Sequence, residues 1–409
     1  MEVGEAQIEQ ARNAISGLVT HTPALRVPEV DARCGGRIAL KAECLQQSGS
    51  FKLRGASAKL ALSAKACAAG VVAGTAGNHG RALALAAGRR GVSCDLFVPR
   101  DAPVSKTEPA RRLGARIHAW EGDLDDCLRA AREFAAGEGV ELVHAFDDPQ
   151  VIAGQGSIGL ELLEDLSDLA LIVVPLGGGG LAAGIAVAVR SARPEVGVIG
   201  VQVDACAPYP DSLSTGRLQA VEPKRTVADG IAVKRPGELT LPLIERWVDE
   251  VVTVGEDEVG DAMAMLLADA KLVVEGAGAV GLAALIAGKV SPAEQGTTAV
   301  VLSGGNVDEE VLMAVARRSE TLHGRGAVLF TRISDRPGSL ARLLERVAGA
   351  GANVIEVRHL REGLELHMAE TGVELIVETR GPEHAEKIVA ALAEDGYEVE
   401  QRYPHPKGE

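Results

Sequence analysis

The chain has 409 residues, of which 46% are hydrophobic and 24% charged, with a net charge of −15 and a pI near 5.2. That length argues for two or three compact units rather than one, and the acidic balance, with no basic stripe, argues against nucleic acid as a partner. Aromatic residues make up only 2%, so Ala, Val, Leu and Ile must fill the cores.

The N-terminus, MEVGEAQIEQ, is acidic and polar, unlike a secretory leader. Six cysteines (Cys34, Cys44, Cys67, Cys94, Cys127 and Cys206) are scattered with no CxxC pair. Both features point to a reducing cytoplasm, with the cysteines acting as small buried hydrophobes. An amphipathic helix is predicted over Glu5–Leu18, where Ile8, Ala11, Ile15 and Leu18 fall at helical spacing. The segment KAECLQQSGSFKLRGA, 41–56, then sets Lys52 between Phe51 and Leu53. Desolvation there would disfavour the ammonium form, and such a lysine can act as a nucleophile or Schiff-base former. A surface lysine whose stem lies along Phe51 is the plainer alternative.

Next comes GTAGNHG, 74–80, before an Ala-rich helix at Arg81–Ala87. Amides at such a helix start suit a carboxylate or phosphate, or the segment is a simple turn with Asn78 as N-cap. His79 reads as a structural residue of the helix start, and Asp147 and Asp148 as loop caps. Strands are predicted at Val92–Val98, Leu171–Leu176, Val196–Val201 and Thr298–Leu302, and helices at Leu181–Val189 and Asp257–Leu272. Leu169–Val189 has no charge and is long enough to cross a bilayer. Pro175 and the four glycines 177–180 divide it into strand, loop and helix instead, so no membrane span is expected. Four glycines exceed what a tight turn needs and suit a backbone wrapped around a phosphate. The strand at 298–302 runs into Ser303, Gly304, Gly305 and Asn306, a hydroxyl at a strand's carboxyl end, where ligands of parallel α/β sheets gather. Strand–helix alternation throughout predicts an α/β architecture with a parallel sheet.

The composition changes at RRSETLHGRG, 317–326. Beyond it, strands at Ala327–Ile333, Asn353–Leu360, Val373–Thr379 and Tyr397–Arg402 alternate with helices carrying Leu340, Leu343, Leu344 and Val347, and Glu383–Leu392. The order βαββαβ is that of a ferredoxin-like unit.

Lys52, the Asn78 loop, the tetraglycine and the Ser303 turn together make a pyridoxal-phosphate site. With them, the chain resembles the threonine/serine dehydratases of the tryptophan-synthase-β-like (fold type II) pyridoxal-phosphate enzymes from Gln7 to Leu322. VIAGQGSIGLEL (151–162), TVADGIAV (226–233) and VEGAGAVGLAAL (274–285) carry the likeness between these motifs. The tail, from Val328 to Tyr403, resembles an ACT regulatory domain, with its DRPGSL turn at Asp335–Leu340. The resemblance implies a catalytic region at 1–318 of two open parallel-sheet subdomains, the smaller at roughly 45–145. A linker at 319–326 and an ACT domain at 327–409 would follow.

It further implies that Lys52 holds pyridoxal 5'-phosphate as a Schiff base and moves the substrate proton, and that Phe51 packs on the ring. Asn78 would bond the ring's phenolic oxygen, and Gly177, Gly178, Gly179, Gly180 and Leu181 would hold the phosphate. Ser303 would face the pyridine nitrogen, while Thr75, Ala76, Gly77 and Asn78 would receive the substrate. A neutral hydroxyl at the nitrogen makes the ring a shallower electron sink than a carboxylate would, which favours β-elimination over transamination. Ala76 stands where racemases of this fold carry a second, serine base, so one-face chemistry by Lys52 is implied. Gln202 and Pro208 replace the acidic residues with which some relatives bind a cation, so no metal is expected. Glu275 would lie near the cofactor, its role unread.

The implied activity is elimination of L-threonine, and of L-serine, to a 2-oxo acid and ammonia. A homodimer or homotetramer is implied, with an amino-acid effector at the tail. The alternatives are a serine or 3-hydroxyaspartate dehydratase, a serine racemase, or a non-catalytic amino-acid sensor.

Overall fold

The computed structural model describes residues 3–75, 77–322, 324–361, 367 and 369–401. The chain divides into two compact units, Met1–Val311 and Leu312–Glu409. In the first, a six-stranded sheet runs in the order Ala24–Leu25, Ile38–Lys41, Thr297–Val301, Leu169–Pro175, Gly197–Val203, Glu250–Val254. Its strands pair in parallel except the first two, which are antiparallel. The parallel sheet predicted here is mixed at that edge, where the chain leaves Ala24–Leu25, passes through the helix Pro28–Cys34 and returns antiparallel along Ile38–Lys41. Every residue of Ile38–Lys41 and of Thr297–Val301 is buried, as expected of strands covered on both faces.

The second sheet of this unit is parallel throughout, in the order Arg116–Trp120, Cys94–Pro99, Val71–Gly74, Glu141–Leu142. Around it, Leu53, Leu60, Val71, Leu83 and Leu96 build one core, while Ile8, Ile15, Ile172, Val174 and Ile185 build that of the larger sheet.

Two helices are shorter than their apolar patterns suggest. The first ends at Ala14, with Ile15–Leu18 forming turns around Gly17 at φ +75°. The helix Glu256–Ala268 stops before Leu272 because the chain turns through Lys271 at φ 57°. Leu272 still reaches the core from the following loop. Burial alone had set the predicted ends, and burial does not require helix.

The second unit has the order βαββαβ. Its sheet is antiparallel, arranged as Asn353–Leu360, Glu370–Glu378, Gly326–Ser334 and Val399–Gln401. The helices Ser339–Gly349 and Pro382–Glu394 bury Leu343, Val347, Ile388 and Leu392 in its core. Of the last predicted strand, Tyr397–Arg402, residues 399–401 are strand, and Arg402 lies outside the described residues. The linker expected from residue 319 begins inside the helix Glu309–Leu322. No helix among the described residues is long and apolar enough to cross a membrane.

Candidate active site

Sheet order explains how residues 50 and 303 meet. The strand Thr297–Val301 lies beside Ile38–Lys41, so the segments leaving their carboxyl ends run together. Phe51 N–H donates to Ser303 O at 3.0 Å, and Gly305 N–H to Gly49 O at 2.9 Å. The helix Lys52–Leu62 starts from this junction, with Lys52 as its first residue.

Lys52 Nζ donates to the Ala145 carbonyl at 2.8 Å and stands 5.0 Å from the Phe51 ring centroid. Burial pushes its amine down to about 8, partly opposed by the Glu275 charge. His79 is held near 3 by burial and then by the Lys52 charge, and burial lowers His144 to about 4. Both imidazoles are therefore neutral near pH 7. His79 accordingly spends its ring on structure, with Nε2 2.9 Å from Val143 O, and His144 Nδ1 accepts from Asp147 N–H at 2.9 Å.

Ala145 and Phe146 connect Lys52 to the glycine loop. The loop joins the strand Leu169–Pro175 to the helix Gly180–Ala192. A Cβ on Gly178 would overlap the Phe146 ring, and one on Gly180 would sit 2.8 Å from Phe146 O. Gly179 has φ +97°, and a Cβ there would overlap the Tyr209 hydroxyl. Gly178 O accepts from Tyr209 Oη at 3.1 Å and Thr240 Oγ1 at 2.7 Å, which pins the loop from behind. The amides opening the following helix lack intrahelical acceptors, so they are available to an anion. Leu181 places its side chain in the core and can offer only its backbone.

The third element is the turn after Val71–Gly74. Thr75 is buried and its N–H donates to Phe97 O at 2.9 Å. Ala76 lies outside the described residues. The helix Asn78–Arg90 is capped by Gly77, not Asn78. The Asn78 side chain turns instead to Glu275, with Nδ2 donating to Oε1 at 2.7 Å. Glu275 is pushed up to about 7 by burial and by Asp229, with the Asn78 hydrogen bond opposing. Ser303 is buried at the end of its strand. The structure thus gathers Phe51, Lys52, Thr75, Gly77, Asn78, the glycine loop and Ser303 in one unit.

Other expectations resolve into scaffolding. Asp148 caps the helix Pro149–Asp165, while Asp147 accepts from Glu238 and Leu239 N–H groups. Gln202 is buried, donating to Leu176 O at 3.1 Å and accepting from Tyr209 N–H at 3.0 Å. Among the described residues no cluster of His, Cys, Asp or Glu is arranged to hold a metal ion.

The sequence reading missed Phe146, Tyr209 and Thr240, which shape the glycine loop, and left Glu275 without a role. Tyr209 carried a faint signal as one of three tyrosines in the chain. Thr240 carried none.

A half-buried amine of lowered basicity, beside a run of four glycines whose backbone packs too closely on Phe146, Tyr209 and Ile231 to admit side chains, fits an aldehyde cofactor bearing a phosphate. The chain matches the family of pyridoxal-phosphate dependent enzymes over residues 15–304 and belongs to it; its cofactor is pyridoxal phosphate. Within that class it is 44% identical to an L-threonine ammonia-lyase of Thermotoga maritima over 393 residues, 96% of this chain and 98% of the relative. Among solved structures, a threonine deaminase from T.th. aligns with a TM-score of 0.71 at 38% identity, over 75% of this chain and 99% of its own. Maize serine racemase aligns at 0.73 with 30% identity, over 79% and 99%.

Proposed function

We propose that this chain is an L-threonine ammonia-lyase that also accepts L-serine, yielding a 2-oxo acid and ammonia. The observation that carries the substrate is the 44% identity to a protein of that name across 96% of the chain. Lys52, Phe51, Asn78, residues 177–181 and Ser303 hold pyridoxal phosphate, and Thr75, Ala76, Gly77 and Asn78 receive the substrate. When bound, the cofactor supplies an aldehyde to condense with the substrate amine and a ring to take up the electron pair left at Cα.

The chain's own residues do the rest. The Lys52 amine, its basicity lowered by burial to about 8, takes the Cα proton in its neutral form. The β C–O bond then breaks, and the proton that Lys52 has taken passes to the departing hydroxyl, which leaves as water. The released enamine tautomerises, and water hydrolyses it to the 2-oxo acid and ammonia. Neutral Ser303 adds no charge at the ring and so leaves elimination as the easiest exit.

The likeness to maize serine racemase supports a second reading, racemisation. Alanine at position 76 opposes it, because a methyl group cannot carry a proton. Steady-state assays with L-threonine, L-serine and 3-hydroxyaspartate, run in heavy water with D-serine measured, decide among these. Turnover highest on threonine with little D-serine is expected; preference for another substrate, or substantial D-serine, would overturn the assignment.

The free cysteines support a reducing cytoplasm. The βαββαβ order supports an ACT domain at 327–409 that binds an amino-acid effector, in a homodimer or homotetramer.

A further inference from the structure

Asn78 owes the direction of its amide to two residues that the reaction above does not use. Arg81, on the next turn of the same helix, donates from Nη1 to Asn306 Oδ1 at 2.5 Å. A guanidinium has donors only, so the Asn306 atom facing it must be the oxygen. Asn306 Nδ2 therefore points the other way, donating to Ser48 O at 3.0 Å and to Asn78 Oδ1 at 2.7 Å. With its oxygen engaged, Asn78 presents Nδ2 to Glu275 Oε1. Glu275 also accepts the Asn306 backbone N–H. Every side-chain link has the same sense, running from Arg81 to Glu275.

Two glycines make room for this relay. A Cβ on Gly49 would overlap the Asn306 carboxamide, and one on Gly304 would overlap the Glu275 carboxylate. Gly49 lies in the segment that leads into the Lys52 helix, and Gly304 directly follows Ser303. The hydrogen bonds described for Asn78 use its oxygen and one N–H, leaving the second N–H to a ligand.

We propose that Asn306 is a positioning residue: polarised by Arg81, it fixes the Asn78 amide so that N–H, and not carbonyl, is offered to the cofactor. The inference rests on the assignment of Asn78 to the cofactor's phenolic oxygen. A flipped amide would set one oxygen against another, so the pair of residues acts on binding and on the cofactor's titration without touching it.

The test uses the full-length holoenzyme, its visible absorption band titrated with pH, and cofactor affinity measured by equilibrium dialysis. Asn306→Asp offers only acceptors, so Asn78 should turn its Nδ2 toward position 306. Cofactor affinity should fall about tenfold or more, the scale of one lost hydrogen bond to a charged group. The band's pH midpoint should move by about one unit. Arg81→Lys keeps a donor-only partner and should retain both values, whereas Arg81→Met should follow Asn306→Asp. A merely structural role would lower the melting temperature and leave the midpoint in place. Affinity and midpoint within about twofold and a few tenths of a unit of the unmodified protein, in Asn306→Asp or, if that variant does not fold, in Arg81→Met, would overturn the proposal. If the unmodified protein with pyridoxal phosphate shows no visible band, the cofactor assignment fails first and the proposal falls with it.

Discussion

Lys52 is a primary amine in a setting where its charge is poorly solvated, and its reactivity follows from that placement. Only the neutral amine attacks an aldehyde. Capture of pyridoxal phosphate by cofactor-free protein should therefore accelerate as pH rises through about 8, measurable by stopped-flow absorbance; a flat profile would contradict the lowered basicity. Lys52→Ala removes both the covalent link and the base. Turnover should drop by several orders of magnitude, on the order of 10⁴-fold or more, while the glycine loop can still bind the cofactor. Glu275 shows the opposite titration, since burial raises it from 4.5 to about 7. Its protonated form is favoured in the fold, so its stabilising contribution is present below the ordinary glutamate range and lost as pH rises through about 7. Glu275→Gln should leave the cofactor-free protein unchanged in acid and stabilise it above neutrality. The gain should be on the order of 2 kcal/mol after solvent screening, read from urea unfolding at two pH values. Equal stability at both would show that water reaches the carboxylate.

The helix carrying Lys52 is held from beneath by charge. Arg54 is fully buried and pairs in two-pronged fashion with Glu43 at 2.7 and 2.9 Å and with Glu161 at 2.6 and 2.9 Å. Lys41 adds a contact to Glu161 at 2.7 Å. One guanidinium thus ties together the segment after the strand Ile38–Lys41, the helix Lys52–Leu62 and the helix Pro149–Asp165. Burial would push Glu43 up, but the Arg54 charge and hydrogen bonds hold it below the usual carboxylate range. That contribution is present at neutral pH and is lost as pH falls through the lowered value. Arg54→Ala leaves Glu43 buried without its guanidinium and Glu161 with Lys41 alone, and should cost about 3–5 kcal/mol. A fall in melting temperature together with weaker cofactor retention is expected; a loss below about 1 kcal/mol would mean that the carboxylates take up protons or water instead.

At the scale of the whole molecule, the first unit contains every residue assigned to the reaction and has its own cores. Ending the chain after Leu322 keeps the helix Glu309–Leu322 whole, where a stop at Arg318 would cut its last turn. The shortened enzyme should still eliminate threonine. If the second unit binds the effector, inhibition or activation by isoleucine or valine should vanish from its kinetics. Allosteric coupling is typically about 1–3 kcal/mol, enough to read as a clear shift in the full chain. A full response in the shortened enzyme would place the effector site within residues 1–322.

Much of this was legible from the chain alone, because it is local. The strands near 92–98, 171–176, 196–201 and 298–302 announced themselves as apolar runs, whereas the short buried strands Ile38–Lys41 and Val71–Gly74 did not. Lys52 between apolar neighbours, four successive glycines after a strand, and Ser303 at a strand's end each carry their chemistry within a few residues. The C-terminal unit followed from period and order. What could not be read was which side chains face each other across the fold. Asn78 meets Glu275 from 197 residues away and Asn306 from 228, and Arg54 meets Glu161 from 107. Periodicity says which face of an element is buried but not which element covers it. That choice belongs to the sheet order, in which Thr297–Val301 inserts between Ile38–Lys41 and Leu169–Pro175. Only that insertion brings the turn after residue 301 against the start of the Lys52 helix, and with it the Asn306 carboxamide that, with the Glu275 carboxylate, orients Asn78.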